Sequence, residues 1–195
     1  KRITIYNDFM CQPSKVCALN KSRSQSLVLY TDKSWTVEHL PDWCRISKES
    51  GTGKTELTLT VHEMPHGVGN RTDSIVFRLD DTDYTTYCQV SQYGYEYEED
   101  EKITLQTHTQ GKGIDVIFLG DGYDGEAHSK GEFLNLVKEQ VEYFFGVEPY
   151  KSHRSYFNVY AVVSLSQEAG VNTLNTYRDT YFGTIYAGSE KQLMP

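Results

Sequence analysis

The pattern of hydrophobic and polar positions along this 195-residue chain changes about half-way along it. Over the stretch 26–92, short apolar runs recur about every ten residues, with turn-forming segments such as 31–34 and 50–53 between them. Along residues 57–61 apolar and polar side chains alternate, which is typical of a strand with one face in water. Residues 3–6 indicate one more strand. Regularly spaced short strands of this kind predict an all-β sandwich.

The second half of the chain predicts a strand, a helix and a second strand. Residues 114–119 form an almost continuously apolar run, as expected of a strand that is covered on both faces. Ser129 stands three residues before Glu132, the spacing of a capping box, so the helix is predicted to begin at Ser129 and to end at Gly146. Its apolar face contains Phe133, Val137, Val141 and Phe144. An apolar run over residues 157–165 completes a β-α-β unit with parallel strands.

The loop after the first of these strands is the candidate functional site. Functional residues of open α/β sheets gather in the loops at the carboxyl ends of the strands. Here that loop begins with Gly120-Asp121-Gly122-Tyr123, so Asp121, Gly122 and Tyr123 are the candidate cleft-lining residues. The alternative interpretation is structural: Asp121 caps a turn through its side chain, and Gly122 supplies a positive φ.

The same loop contains a glycine pattern of dinucleotide-binding proteins, since Gly120, Gly122 and Gly125 spell GxGxxG between a strand and a helix. A helix that begins only at Ser129 would start too late for its amino end to bind a pyrophosphate. The loop is also acidic, and Glu168 follows the glycines by about forty residues instead of the usual distance of about twenty. Nucleotide binding is therefore a third hypothesis, behind the two developed below.

A zinc-protease pattern occurs in the first half, where His62, Glu63 and His66 spell HExxH. That chemistry requires both histidines on one face of a helix, with the glutamate as the base. Pro65 stands inside the segment and Gly67 follows it, so little helix can form there. We predict a strand-to-loop turn at this point and no metal ligands.

Composition and charge restrict the partners. The net charge of −8 disfavours a nucleic-acid backbone as a partner. The sequence contains no run of 18 apolar residues and predicts no membrane-spanning helix. It opens at Lys1-Arg2 without a signal-peptide pattern, as expected of a processed or trimmed protein. The 15 tyrosines and the turns rich in Gly, Ser, Thr and Asp favour an exported protein.

The four cysteines leave the oxidation state open. Cys11, Cys17, Cys44 and Cys88 form no CxxC pair, so a zinc ribbon or a redox motif is not indicated. An even number allows two disulfides in any of three connectivities. Buried free thiols in strands are the other interpretation.

An acidic stretch divides the chain. Residues 93–102, YGYEYEEDEK, should repel one another and stay extended. We therefore predict a β-sandwich domain over residues 1–94, an acidic linker over 95–102 and an α/β domain over 103–195.

Several short motifs of the first domain belong together. They are Trp35, Asp42-Trp43, Ser50-Gly51, Asn70-Arg71 and Val90-Ser91-Gln92. As a set they resemble a BACON domain, a Bacteroidetes-associated and carbohydrate-binding module. The resemblance implies an immunoglobulin-like sandwich attached to an exported enzyme, with glycan binding or a spacer role as alternatives. Trp35 and Trp43 stand in alternating strand patterns and are expected to be core residues, not sugar platforms.

A second set of motifs follows in order along the second domain. It consists of Gly120-Asp121-Gly122-Tyr123, Phe144-Phe145 with Pro149, Phe157-Asn158-Val159-Tyr160, and Ser164 with Gly170-Val171. In order and spacing this set resembles the start of the catalytic domain of IgA-peptidase-type zinc metallopeptidases, with a metzincin-like α/β layout. The resemblance implies an exported endopeptidase with protein or glycoprotein substrates, in which a glutamate activates zinc-bound water.

The sequence departs from that family at the metal centre. The family's zinc helix, an HExxH with a further ligand, comes after the Phe-Asn-Val-Tyr strand, whereas His153 is the last histidine of this chain. We therefore expect a peptidase domain truncated before its zinc helix, with no catalytic residue and no bound zinc in this chain. The predicted function is the N-terminal region of an exported zinc endopeptidase with an appended binding or spacer sandwich, inactive on its own. The alternative is a carbohydrate- or protein-binding surface module without catalysis.

Overall fold

The computed structural model describes residues 9–65, 68–186 and the backbone of 193–194. The strand predicted over residues 3–6 and the second histidine of the HExxH pattern, His66, lie outside the described residues. The chain divides into two compact units, residues 1–94 and 95–195. In the described parts of both units, no helix is long and apolar enough to cross a membrane.

The first unit is built from strands alone across its described residues, as the periodicity predicts. These strands are β1 (Met10–Gln12), β2 (Lys15–Ala18), β3 (Arg23–Tyr30), β4 (Ser34–His39), β5 (Cys44–Ile46), β6 (Ser50–Thr52), β7 (Thr55–Val61), β8 (Arg71–Leu79) and β9 (Thr85–Gln92). They form a four-stranded sheet in the order β1-β3-β7-β5 and a five-stranded sheet in the order β2-β9-β8-β4-β6. Neighbouring strands are antiparallel except β2 and β9, which run parallel.

The two sheets share one hydrophobic core. Leu57, Leu59 and Val61 point inward from β7, as their alternation predicts, and they are at most 2% exposed. From the other sheet, Trp35 and Phe77 are completely buried, and their rings meet edge to face at 5.8 Å. Burial of a large apolar side chain contributes about 1.5–3 kcal/mol to the stability of a fold. Burial of these inward-facing side chains is therefore the main contribution that holds the two sheets together.

The second unit contains both helices of the described chain. Its elements are β10 (Lys102–Gln106), β11 (Ile114–Leu119), α1 (Gly125–Ser129), α2 (Glu132–Phe144), a 3-10 turn (Arg154–Tyr156), β12 (Phe157–Val162), β13 (Asn172–Thr173), β14 (Ile185–Tyr186) and β15 (Leu193–Met194). One sheet has the order β10-β12-β11, in which β11 and β12 are parallel and β10 is antiparallel to β12. The short strands form a second sheet in the order β13-β14-β15.

The helical segment begins earlier than the capping-box spacing predicts. Asp124 is extended, and its Oδ1 accepts a hydrogen bond from Ala127 N at 3.0 Å, so α1 begins at Gly125. Ser129 donates its hydroxyl to Glu126 O and caps nothing. Gly131 then adopts a φ of 73° and separates α1 from α2. The start predicted at Ser129 is therefore wrong, because an aspartate cap stands upstream and a left-handed glycine divides the helix.

Strand β11 is less buried than its composition predicts. It lies at the edge of its sheet, whereas the central strand β12 buries Val159 and Ala161 completely. Helix α2 packs on β12 and covers one face of the sheet. Ile117 and Leu119 point to the opposite face, where they are 54% and 58% exposed. The expectation of a strand covered on both faces is therefore wrong for β11 in the described structure.

Residues 95–102, predicted as an acidic linker, belong to the second unit and bond to the rest of it. Asp100 N donates to Val163 O at 2.8 Å, and Val163 N donates to Glu101 O at 3.1 Å. The Tyr95 ring packs 5.4 Å from the ring of His128. Lys102, at the end of the predicted linker, is the first residue of β10.

Candidate functional site

The site loop, residues 120–124, lies at the carboxyl end of β11, beside the end of the parallel strand β12. Two serines that follow β12 hold it there. The hydroxyl of Ser164 donates to Gly120 O, and Ser166 N donates to Tyr123 O at 2.9 Å. Both serines are at most 1% exposed. The polar groups of the loop backbone are therefore engaged by the chain itself.

Gly122 is required by the conformation of this loop. Its φ is 77°, and a Cβ built on it would lie 2.0 Å from Gly170 O. The close approach is a backbone pairing, since Gly170 N donates to Gly122 O at 2.8 Å. The amide of Gly122 donates in turn to Ser166 Oγ at 3.0 Å. Glycine is needed here both for the left-handed conformation and for the contact with the 170 segment.

Asp121 is the most heavily bonded side chain of the loop. Its Oδ1 accepts from Phe182 N at 3.0 Å and from Gly122 N at 3.1 Å. Its Oδ2 accepts from Thr184 N at 2.9 Å and from Thr180 Oγ1 at 3.1 Å, and the Thr184 hydroxyl also donates to it. The turn-capping bond foreseen from the sequence is present as the bond from Gly122. The other bonds reach segments 59 to 63 residues away, which no local pattern indicates.

The hydrogen bonds also determine the charge of Asp121. Burial raises the pKa of this carboxyl group, but bonds from Thr184, Phe182 and Thr180 outweigh that effect, so the pKa lies below its ordinary value. Asp121 is therefore a carboxylate at neutral pH. Because both of its oxygens already accept bonds from the protein, its role in this structure is to fix the loop against residues 180–184.

Tyr123 belongs to a cluster of aromatic side chains next to the loop. Its ring lies 5.2 Å from the ring of Phe133 and 6.2 Å from that of His128, with the side chain half-buried. Burial and the nearby charge of Glu132 raise the pKa of its hydroxyl. The three predicted site residues thus lie together, Asp121 and Gly122 in backbone-fixing roles and Tyr123 in an aromatic cluster.

His128 belongs to the same site, and sequence reasoning missed it. It is 1% exposed, and its Nε2 lies 3.2 Å from Ser164 O. A carbonyl only accepts, so Nε2 carries the proton and donates, while Nδ1 has no hydrogen-bond partner among the described residues. Burial lowers the pKa of His128, opposed by the Ser164 carbonyl and by Asp124, so the ring is neutral. The cap at Asp124, had it been recognised, would have placed His128 on a helix beside the loop.

The histidines of the second unit occupy separate positions. His108 Nδ1 lies 2.8 Å from Asn158 Oδ1, and His153 Nδ1 lies 2.9 Å from Pro149 O, while His128 faces the aromatic cluster. Among residues 9–65 and 68–186, no three His, Cys, Asp or Glu side chains are grouped so that they could hold a metal ion.

The HExxH segment of the first unit leaves β7 without helical structure over residues 62–65. His62 and Glu63 are exposed. The backbone of His62 is bonded on both sides, since its N donates to Trp43 O at 2.9 Å and its O accepts from Gln92 Nε2 at 3.0 Å. Residues 62–65 therefore leave the strand as a loop, as Pro65 predicts.

Some of the motif residues of the first unit belong to its core or pack around it. Trp35 is fully buried, and Trp43 lies half-buried with the Arg71 guanidinium 4.6 Å above its ring. Arg71 Nη2 donates to Gln92 Oε1 at 2.7 Å, and Gln92 Nε2 donates to Leu19 O at 2.9 Å. Trp35 therefore has no surface for stacking on a sugar, and Arg71 covers one face of the Trp43 ring.

Comparison with known families addresses the second unit. Residues 103–193 match the family model of IgA Peptidase M64. The match covers slightly less than half of the chain and includes the site loop, its serines and the segment that binds Asp121. It indicates an IgA-peptidase-like region of metallopeptidase, hence hydrolase, type. That family is zinc-dependent in general, and its substrates are proteins.

Solved structures give weaker similarities. A Bacteroides ovatus GH5 xyloglucanase in complex with a XXXG heptasaccharide is 17% identical with a TM-score of 0.40, over 44% of this chain and 18% of that one. WR4, a C. elegans MSP family member, is 11% identical with a TM-score of 0.33, over 46% of this chain and 99% of that one. A Porphyromonas gingivalis W83 protein of unknown function is 11% identical with a TM-score of 0.33, over 58% and 56%. No curated protein sequence matches the chain.

Proposed function

We propose that this chain is the N-terminal region of an exported, zinc-dependent endopeptidase of the IgA-peptidase type. In this proposal residues 103–195 belong to the peptidase domain, residues 95–102 lead into it, and residues 1–94 are an appended binding or spacer module. The observation that carries the proposal is the family match over residues 103–193, which spans the whole site loop and its partners.

The arrangement of the second unit supports a metzincin-like α/β start for the peptidase domain. Parallel strands β11 and β12 flank helices α1 and α2, and the site loop lies at the carboxyl end of β11, where α/β sheets gather their sites. In this proposal Asp121, Gly122 and Tyr123 border the substrate cleft. Asp121 holds the loop rigid, Gly122 allows its close approach to Gly170, and Tyr123 backs it with an aromatic ring.

We further propose that the 195 residues alone do not hydrolyse peptides. The only histidines spaced as HExxH are His62 and His66, which precede the matched region, and Pro65 stands between them. His108, His128 and His153 each make a different bond within the second unit. Zinc, where such a domain binds it, supplies the Lewis acid that activates water. The residues described in this chain orient the loop and its aromatic cluster instead.

The first unit suits an immunoglobulin-like sandwich of the BACON type. Two sheets around one core support this assignment, as does the use of Trp35, Trp43, Arg71 and Gln92 as packing residues. One observation supports the alternative function, which is that of a glycan- or protein-binding surface module. Tyr84 and Tyr87 are 72% and 60% exposed at the start of β9, and exposed aromatic rings can stack on sugars or bury in a protein partner.

The proposal that this chain alone has no metal centre and no activity is tested with the purified 195-residue chain. Elemental analysis should find no bound zinc, and added zinc should not shift the melting temperature. Incubation with immunoglobulin A should give no cleavage. Stoichiometric zinc with a rise in melting temperature would contradict the proposed absence of a metal centre. A His62→Gln/His66→Gln variant would then show whether that pair holds the metal.

The binding alternative is tested separately on a glycan panel. Binding that is lost in Tyr84→Ala/Tyr87→Ala, with the melting temperature unchanged, would favour a binding module. No binding of the wild type to any glycan on the panel would leave the spacer role as the function of the first unit, and equal binding by the variant would mean that another surface binds.

A further inference from the structure

The four cysteines of the first unit are all buried, and two of them face each other between the sheets. Cys11 lies on β1 of the four-stranded sheet and is 2% exposed, while Cys88 lies on β9 of the five-stranded sheet and is 0% exposed. Their strand neighbours, Leu29 and Ile75, belong to the same core. Strands β1 and β9 contact each other although they belong to different sheets, and the two thiols lie close enough to interact.

The interaction between the two thiols lowers the pKa of Cys11, against the effect of burial, and together with burial it raises the pKa of Cys88. Each thiol also donates to a backbone carbonyl, Cys11 Sγ to Pro13 O at 3.9 Å and Cys88 Sγ to Gln89 O at 3.8 Å. Two thiols side by side between the sheets are the arrangement that a disulfide bond requires.

The sheet order makes two of the alternative pairings too long. Cys44 lies on β5, three strand spacings from β1, or about 14 Å at about 4.8 Å per spacing. Cys17 pairs with Ser91 on β9, three residues from Cys88 and so about 10 Å along the strand. A disulfide needs Cα atoms within about 7 Å, so pairing Cys11 with Cys44 and Cys17 with Cys88 does not fit the fold.

We propose that Cys11 and Cys88 are a redox site and form a disulfide between the two sheets when the chain folds in the presence of a small-molecule disulfide such as oxidised glutathione. The Cys11 thiolate attacks one sulfur of the oxidant and releases a thiolate. The Cys88 thiolate then attacks the Cys11 sulfur of this mixed disulfide and releases the second thiolate. Two electrons pass to the oxidant, and the two thiol protons are taken up by solvent or by the released thiolates. The inference does not depend on the peptidase assignment.

Burial determines when the bond forms. Neither sulfur is reachable from solvent in the folded unit, so oxidation is expected during folding and to be slow afterwards. Once formed, the bond closes a long loop that joins the first strand to the last, and it restricts the unfolded chain more than the folded one. The oxidised unit is therefore expected to melt at a higher temperature than the reduced one.

The test compares two matched variants of the full chain. Cys17→Ala/Cys44→Ala keeps the proposed pair, and Cys11→Ala/Cys88→Ala keeps the other two. Each is unfolded, refolded in a glutathione redox buffer and titrated for free thiols in denaturant. The first variant should have no free thiol and should lose at least about 5 °C of melting temperature on reduction. The second should keep two free thiols and show no such loss.

Peptide mapping of the wild type decides the outcome without any variant. Trypsin cleaves after Lys15 and so separates Cys11 from Cys17, and the other cysteines lie in separate tryptic peptides as well. A dominant Cys11–Cys88 crosslink in refolded wild type supports the proposal. A dominant Cys11–Cys17 or Cys44–Cys88 crosslink, or four free thiols in wild type refolded in the glutathione redox buffer, would overturn it.

Discussion

At the scale of single residues, the site loop is held by groups whose roles differ sharply. Asp121 accepts bonds from three residues of the 180–184 segment, so it works as an anchor between two parts of the chain. Gly122 permits a backbone contact that any side chain would block. His128 lies buried beside the ring of Tyr123, neutral and bonded through one nitrogen. Two of these roles can be measured by substitution.

Gly122→Ala should lower the free energy of unfolding of the second unit by at least about 2 kcal/mol, because the left-handed conformation and a clash with Gly170 O both oppose it. Gly183→Ala is the matched control, since Gly183 also has a positive φ, 65°, but nothing lies within 4 Å of its added Cβ. Urea unfolding followed by circular dichroism at 222 nm measures both variants. Equal losses would show that the Gly170 contact is unimportant.

His128 makes the stability of the second unit depend on pH. Its pKa is lower in the folded state than the value of about 6.5 expected when unfolded, so the unfolded chain binds the proton first as the pH falls. Its contribution is complete above about pH 6.5 and is lost progressively below that value. The melting temperature should therefore fall from pH 7.5 to pH 5.5.

The control for this effect compares two glutamine substitutions. His128→Gln should melt lower at pH 7.5 but show a smaller fall toward pH 5.5. His153→Gln, at an exposed position, should keep the wild-type fall. A His128→Gln variant with the full pH dependence would mean that another group is responsible.

At the scale of elements, position within the sheet decides what an apolar strand contributes. Strands β11 and β12 have similar composition, yet β12 is central and β11 is at the edge. Helix α2 covers the face to which Val159 belongs, while Ile117 faces the uncovered side. Truncation of an apolar side chain should therefore lower the free energy of unfolding by different amounts in the two strands.

Val159→Ala should lower the free energy of unfolding by about 2 kcal/mol, since its side chain is completely buried and leaves a cavity. Ile117→Ala removes more carbon but from a position that is 54% exposed, and should cost about 1 kcal/mol or less. Denaturant unfolding of the two variants under the same conditions gives the comparison. A larger loss for Ile117→Ala would show that a partner covers this face in solution.

At the scale of the whole molecule, the chain consists of two units whose cores have little in common. The first is a pair of sheets around a dense apolar core, and the second contains two three-stranded sheets, with helix α2 on one face of the sheet β10-β12-β11. The described helices all lie in the second unit, and both tryptophans lie in the first. Fluorescence and circular dichroism at 222 nm therefore report on different units.

A fragment of residues 1–94 should fold by itself, because its core is complete within it. Its tryptophan fluorescence should show one cooperative thermal transition at about the temperature found for the full chain. Fluorescence of an unfolded protein in the fragment, with a folded signal in the full chain, would mean that the second unit is required for the first.

Local periodicity was enough to predict the β-rich first unit and the parallel strands of the second, because side-chain alternation and helical spacing are read directly from the order of residues. The loop after β11 was also found, since strand, glycine and turn signals are adjacent in sequence. The role of Asp121 in binding residues 180–184 was not predicted, because these partners lie about sixty residues downstream. The burial of His128 and the exposure of β11 likewise depend on sheet order and packing. Those features come from which segments meet in space, and only the tertiary structure decided them.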